Sequence, residues 1–195
     1  MGKADPERGG SPALLQQRFE AQEDEHRLLN YRRGALLAAL FIALGAGMDW
    51  VAFGTSSAQS PEGVVLTLFV LRMACSCGLL FVLFLLYRVR SRSRRTLHLL
   101  GHLVALIPMV TIHGMLSETG GGGSPYYAGL NLVMVGTVLL LRWRCIDGVI
   151  SSTLCIVGYL AVALNTATSV QNITIALFFL YDFHVYFVDL KKVKK

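Results

Sequence analysis

The sequence predicts an all-α integral membrane protein, a bundle of six transmembrane helices with both termini in the cytoplasm. Three observations carry this. Hydrophobic residues make up 54% of the 195-residue chain and charged residues only 15%, whereas an ordinary soluble domain is about a quarter charged. The apolar residues fall into uninterrupted runs of the length that crosses a bilayer. Finally, the 18 Lys and Arg, which outnumber the 12 Asp and Glu, alternate between crowding one connection and avoiding the next.

The 33 N-terminal residues are polar and lack the apolar core of a signal peptide. Within them Leu14, Leu15, Phe19, Leu28 and Leu29 stand among many charges. Two readings fit equally: a helix on the membrane surface or against a partner, and a solvated lead-in continuous with the first span. The spans then run Gly34–Phe53, Val64–Tyr87, Thr96–Leu116, Tyr126–Leu141, Gly148–Ala167 and Ile173–Val188, the fourth being the shortest. Residues 34–190 thus form the membrane domain, and 191–195 form a basic tail. The first and third connections are rich in Ser, Gly and Pro, which supply turns. The run Gly120–Gly123 has no following Lys and no preceding strand, so it reads as a flexible hinge and not as a phosphate loop.

Orientation follows from the cations. Six precede the first span, five lie in the second connection (Arg88, Arg90, Arg92, Arg94, Arg95), Arg142 and Arg144 in the fourth, and four in the tail. The first, third and fifth connections hold none. Cytoplasmic loops concentrate Lys and Arg, so both termini are placed inside. The clusters read as topology determinants touching anionic lipid headgroups, each cation contributing about 1 kcal/mol. They lack interleaved aromatics and sit against the membrane, which argues against a nucleic-acid partner.

Seventeen of the 18 cations are explained in this way; Arg72 is not. It lies some eight residues into the second span, too deep for easy snorkelling. An ionisable group in hydrocarbon is costly unless paired, which makes it a functional candidate. Asp49, near the outer end of the first span, and Asp182, in the last, are both plausible partners, and Asp49 is closer in depth. His102 and His113 share a face of the third span, 11 residues or about 16 Å apart. His184 on the last span matches the depth of His102. Histidines at matched depth on facing helices can clamp a b-type haem or another metal; histidines hydrogen-bonded to neighbouring helices are the alternative. Cys75 and Cys77 point to different sides of one helix, which is not metal-ligand spacing. No hydrolase, kinase or nucleotide-binding signature is present, so the chain on its own is not expected to be a complete enzyme. A small transporter or channel is a third reading, but the two three-helix halves show no repeat and no Gly/Pro-broken helix pair.

The segment Ser124-Pro125-Tyr126-Tyr127-Ala128-Gly129-Leu130-Asn131, leading to Leu141-Arg142-Trp143, resembles the six-helix membrane modules of bacterial signalling proteins. These modules precede histidine kinase or class III adenylate/guanylate cyclase domains. The resemblance implies a sensor and anchor in the bacterial inner membrane, a homodimer, and a cytoplasmic effector beyond the last span. The short outer connections call for a signal that is small, lipophilic or read inside the bilayer, and Tyr126, Tyr127 and Asn131 join Arg72, Asp49 and Asp182 as candidate binding or coupling residues. The aromatic last span (Phe178, Phe179, Tyr181, Phe183, Tyr186, Phe187) would suit a partner protomer, a quinone or haem, or lipid. Pro125 is placed to start a helix, and Ala128, Gly129 and Gly136 to let helices approach closely.

Overall fold

The computed structural model describes residues 12–53, 62–88, 94–141 and 145–166, together with Thr174. Among them the chain is all-helical, with no strand. Five α-helices follow in order: α1 (Pro12–Phe53), α2 (Glu62–Arg88), α3 (Arg94–Glu118), α4 (Tyr127–Leu141) and α5 (Cys145–Asn165). Four of them, all but α4, are long and apolar enough to cross a membrane, and α4 is a shorter apolar helix. This makes a multi-pass membrane protein. The sixth span with Asp182 and His184, the basic tail, and Arg90, Arg92 and Arg142–Arg144 lie outside the described residues.

Four spans lie within a few residues of their predicted limits. The first differs: α1 is one unbroken 42-residue helix that starts at Pro12. From Pro12 on, the N-terminal segment is thus helical and continuous with the first span. Nothing between Pro12 and Arg33 stops a helix, because the stretch holds no Gly and no Pro after Pro12.

The helices run up and down. Ser76 on α2 donates to the Ala39 carbonyl of α1 (3.1 Å), and Arg72, one turn earlier, reaches Ile42 and Asp49, so the pair is antiparallel. Contacts of Gly78 with Ile107 and of Gly114 with Leu71 set α3 antiparallel to α2. Gly129 lies beside Ile112, and Leu141 shares a core with Leu100 and Val104, which sets α4 antiparallel to α3. His102 and His113 face Asp147 and Cys155 in the same order, so α5 runs parallel to α3. Helix α3 is the central element, touching all the others.

Two cores flank α3. One joins α1, α2 and α3 through Tyr31, Ala35, Leu79, Val82, Leu86 and Val104. The other joins α3, α4 and α5 through Met109, Leu116, Leu130, Cys155 and Tyr159. The outward faces carry large apolar side chains, among them Phe41, Leu44, Val110, Leu132 and Leu164, while Asp49, Ser76, Ser124 and Ser152 are buried. A water-soluble bundle would place these groups the other way round; a lipid solvent favours this arrangement.

At one end α1 is tied to α2 by Arg32. Its Nε and Nη2 both donate to the Leu86 carbonyl (3.2 and 2.8 Å), and its guanidinium lies 4.4 Å from the Tyr87 ring centre. Leu86 is in the last turn of α2, where carbonyls have no helical donor, so Arg32 acts as a cap supplied by another helix. At the opposite end the glycine run is a short 3₁₀ turn at Gly121–Gly123, entered through Gly120 (φ 99°) and Gly121 (φ 65°). Both φ values lie in the left-handed region that glycine adopts without cost. The predicted hinge is thus a built turn, with Gly121 and Ser124 buried.

Candidate functional site

The connection from α3 to α4 positions the site. Thr119 donates its hydroxyl to the Met115 carbonyl (2.7 Å), and its Oγ1 lies 2.6 Å from Ser124 Oγ. Each hydroxyl has one hydrogen, so Ser124 donates to Thr119 and is left to accept the Tyr126 N–H (3.3 Å). The Ser124 and Pro125 carbonyls then receive the Tyr127 and Ala128 N–H groups, opening α4. This hydroxyl chain fixes where Tyr126 leaves the backbone.

Tyr126 points inward and donates its hydroxyl to Asp49 Oδ1 (2.5 Å). Arg72 grips the same carboxylate with two N–H groups, Nη2 to Oδ1 (2.8 Å) and Nε to Oδ2 (2.5 Å). A third, from Nη1, goes to the Ile42 carbonyl (3.3 Å). The guanidinium also lies 5.8 Å from the Tyr126 ring centre. Asp49 is 4% exposed. Two charges and a hydroxyl from α1, α2 and the start of α4 thus meet in one enclosed cluster. The bidentate geometry satisfies both carboxylate oxygens, and this is what makes a buried ion pair tolerable.

Room for the guanidinium comes from Gly45, one turn before Asp49 on the same face of α1. A Cβ there would lie 2.1 Å from Arg72 Nη1 and 2.7 Å from Cζ. The sequence reading missed Gly45, although its four-residue spacing from Asp49 was a usable signal. Tyr126→Phe should lower stability by about 1 kcal/mol, since the ring packing stays while Asp49 loses one of its donors. Thermal unfolding in detergent is the check, and no measurable loss would show that the ring, not the hydroxyl, matters.

The remaining predicted site residues lie elsewhere. Tyr127 packs against the α3–α4–α5 core. Asn131, on α4, has its Oδ1 enclosed without a hydrogen-bond partner among the described residues. His102 Nε2 is 3.5 Å from Asp147 Oδ1 near the start of α5. His113 turns both ring nitrogens to backbone carbonyls, Nδ1 to Met109 (2.7 Å) and Nε2 to Cys155 (3.2 Å). Gly158 supplies its slot, since a Cβ there would come within 2.6 Å of Nε2. His102 and His113 lie 11 residues apart along α3, and ligation by His113 through Nε2 would break its Cys155 contact while Nδ1 could keep Met109. Among the described residues no three His, Cys, Asp or Glu side chains gather at metal-binding distance.

An apolar groove of about 230 Å³ opens between α1, α3 and α4, lined by Gly34, Phe41, Ile42, Pro108, Leu132 and Gly136 among others. Ile42 belongs to both features: its side chain lines the groove and its carbonyl holds Arg72. The fold and the cluster together define a helical multi-pass membrane protein with a buried, bidentate ion pair at one end of the bundle. Comparison with protein-family models, with characterised proteins and with solved structures gives no match to this chain.

Proposed function

We propose that this chain is the membrane sensor and anchor module of a bacterial signalling protein. It sits in the inner membrane as a homodimer, with both termini cytoplasmic, and biases a histidine kinase or nucleotide cyclase joined to its last span. The observation that carries the reading is the Arg72–Asp49–Tyr126 cluster, which ties three helices together at the end opposite the basic rim. The cation distribution supports the orientation, and Tyr126, part of the Ser124–Leu130 segment behind the resemblance, contributes directly to the cluster.

In this reading the cluster is a latch between two helix packings, and a signal acts by binding one packing better than the other. A lipophilic molecule or quinone in the α1–α3–α4 groove would press on Ile42 and so on the carbonyl that Arg72 holds. The test joins a class III cyclase catalytic domain after Lys195 and measures cyclic nucleotide output in membranes. Tyr126→Phe, which loosens the latch without stranding a charge, should shift basal output at equal protein level. Output that is unchanged by Tyr126→Phe and by groove-filling Gly136→Leu would sink the sensor reading.

A further inference from the structure

The polar half of α1 carries a stripe of exposed residues that the bundle does not use. Leu15, Phe19, Gln22, His26, Leu29 and Arg33 recur at alternating spacings of four and three. Leu15 is 62% exposed, Phe19 68% and Leu29 42%. The spacing continues through Leu36 and Leu40, both also exposed. Arg27, Tyr31 and Ala35, on the opposite face, are buried. A 3.5-residue repeat sustained over nearly four heptads is the pattern of a left-handed two-stranded coiled coil.

Lipid accounts for Leu36 and Leu40, which lie within the apolar span, but not for the N-terminal part of this stripe. The helix is unbroken from Pro12 to Phe53, so at 1.5 Å per residue Leu15 stands about 28 Å along the axis from Gly34, where the apolar span begins. Phe19 stands about 22 Å from it. Neither reaches hydrocarbon without a break in the helix.

We infer that this stripe is the seam of a parallel dimer with the α1 of a second copy. Identical multi-pass chains insert with the same orientation, so two copies present their α1 helices in parallel. In the heptad frame Phe19, His26, Arg33 and Leu40 take the a positions, and Leu15, Gln22, Leu29 and Leu36 the d positions. That frame puts Arg18 at g and Glu23 at the following e, the positions that face each other across a parallel seam. Their charges are opposite, and Glu23, although paired with Arg27 in its own chain at 2.6 Å, keeps 49% of its side chain exposed. Gln22 and His26 in the middle of the seam pair with their own copies and fix the register at some cost in affinity. At Arg33 the two guanidiniums splay to the headgroups.

This seam rests on the homodimer proposed above only for the existence of a second copy. The test uses the full chain in lipid vesicles, with single cysteines introduced at Leu15→Cys or Leu29→Cys on the seam and at Gln17→Cys or Ala21→Cys on other exposed faces. Mild oxidation should give a dimer band from the first two, and only the parent chain's background from the others. Phe19→Glu should weaken dimerisation by about tenfold or more, equivalent to at least 1.4 kcal/mol. Arg18→Glu should also weaken it, with recovery when Glu23→Arg is added. Crosslinking that is uniform over all four positions, or a dimer of correct size with no α1 crosslink, overturns the seam and leaves the sensor reading standing. A chain that is monomeric in vesicles overturns both the seam and the homodimer.

Discussion

Asp49→Leu is expected to destabilise the protein by about 3–5 kcal/mol, because it leaves the Arg72 guanidinium in the bundle with no counter-charge. Arg72→Leu should cost a similar amount: the carboxylate keeps the Tyr126 hydroxyl but loses both guanidinium bonds. The double variant Asp49→Leu, Arg72→Leu should recover most of the loss. With both charges gone the Tyr126 hydroxyl is the polar group of the cluster that loses its acceptor, a smaller cost than a stranded charge, and an apolar replacement of a buried ion pair is often neutral or stabilising. Thermal unfolding of the four proteins in one detergent forms the cycle. If the single costs simply add in the double variant, the pair is not coupled and the latch is wrong.

The second large effect is at Gly45. An arginine end usually swings away from an added methyl group at little cost, but here swinging away breaks the two bonds to Asp49 and the one to Ile42. Gly45→Ala is therefore expected to lower stability by about 1–3 kcal/mol. Gly47→Ala, two residues on, meets nothing within 4 Å and should be neutral or gain up to about 1 kcal/mol from helix propensity. The cause can be isolated: in the Asp49→Leu, Arg72→Leu background, Gly45→Ala should cost almost nothing. A full penalty there would show that Gly45 serves helix packing instead.

Much of this was legible in the residues. The five described helices were present in the hydropathy pattern because a bilayer demands long apolar runs whatever their neighbours do. Arg72 stood out because no topological rule accounts for a cation at that depth. Asp49 could be favoured over Asp182 by depth alone, since a short antiparallel connection brings the end of one span beside the start of the next.

Other features were not legible. Tyr126 and Tyr127 are adjacent and chemically alike, yet one donates to Asp49 and the other packs on α5. The choice is made by the Thr119–Ser124 hydroxyl chain, which sets the entry angle of α4. Histidine spacing on the third span records only that two side chains share a face. What they meet depends on the neighbouring helix: an Asp at the start of α5 for His102, and a carbonyl beside Gly158 for His113. The glycine run looked like a hinge because composition reports conformational freedom, and the packing of Gly121 and Ser124 then removes that freedom.

By itself, then, the sequence determined that this chain is helical and membrane-embedded, where most of its helices begin and end, and which charge requires a partner. Those properties follow from transfer between water and lipid, which each residue undergoes almost independently of its distant neighbours. Only the tertiary structure decided that Arg72, Asp49 and Tyr126 form one cluster and that Gly45 makes room for it. Those outcomes depend on contacts between residues 23 to 77 positions apart, which no local pattern encodes.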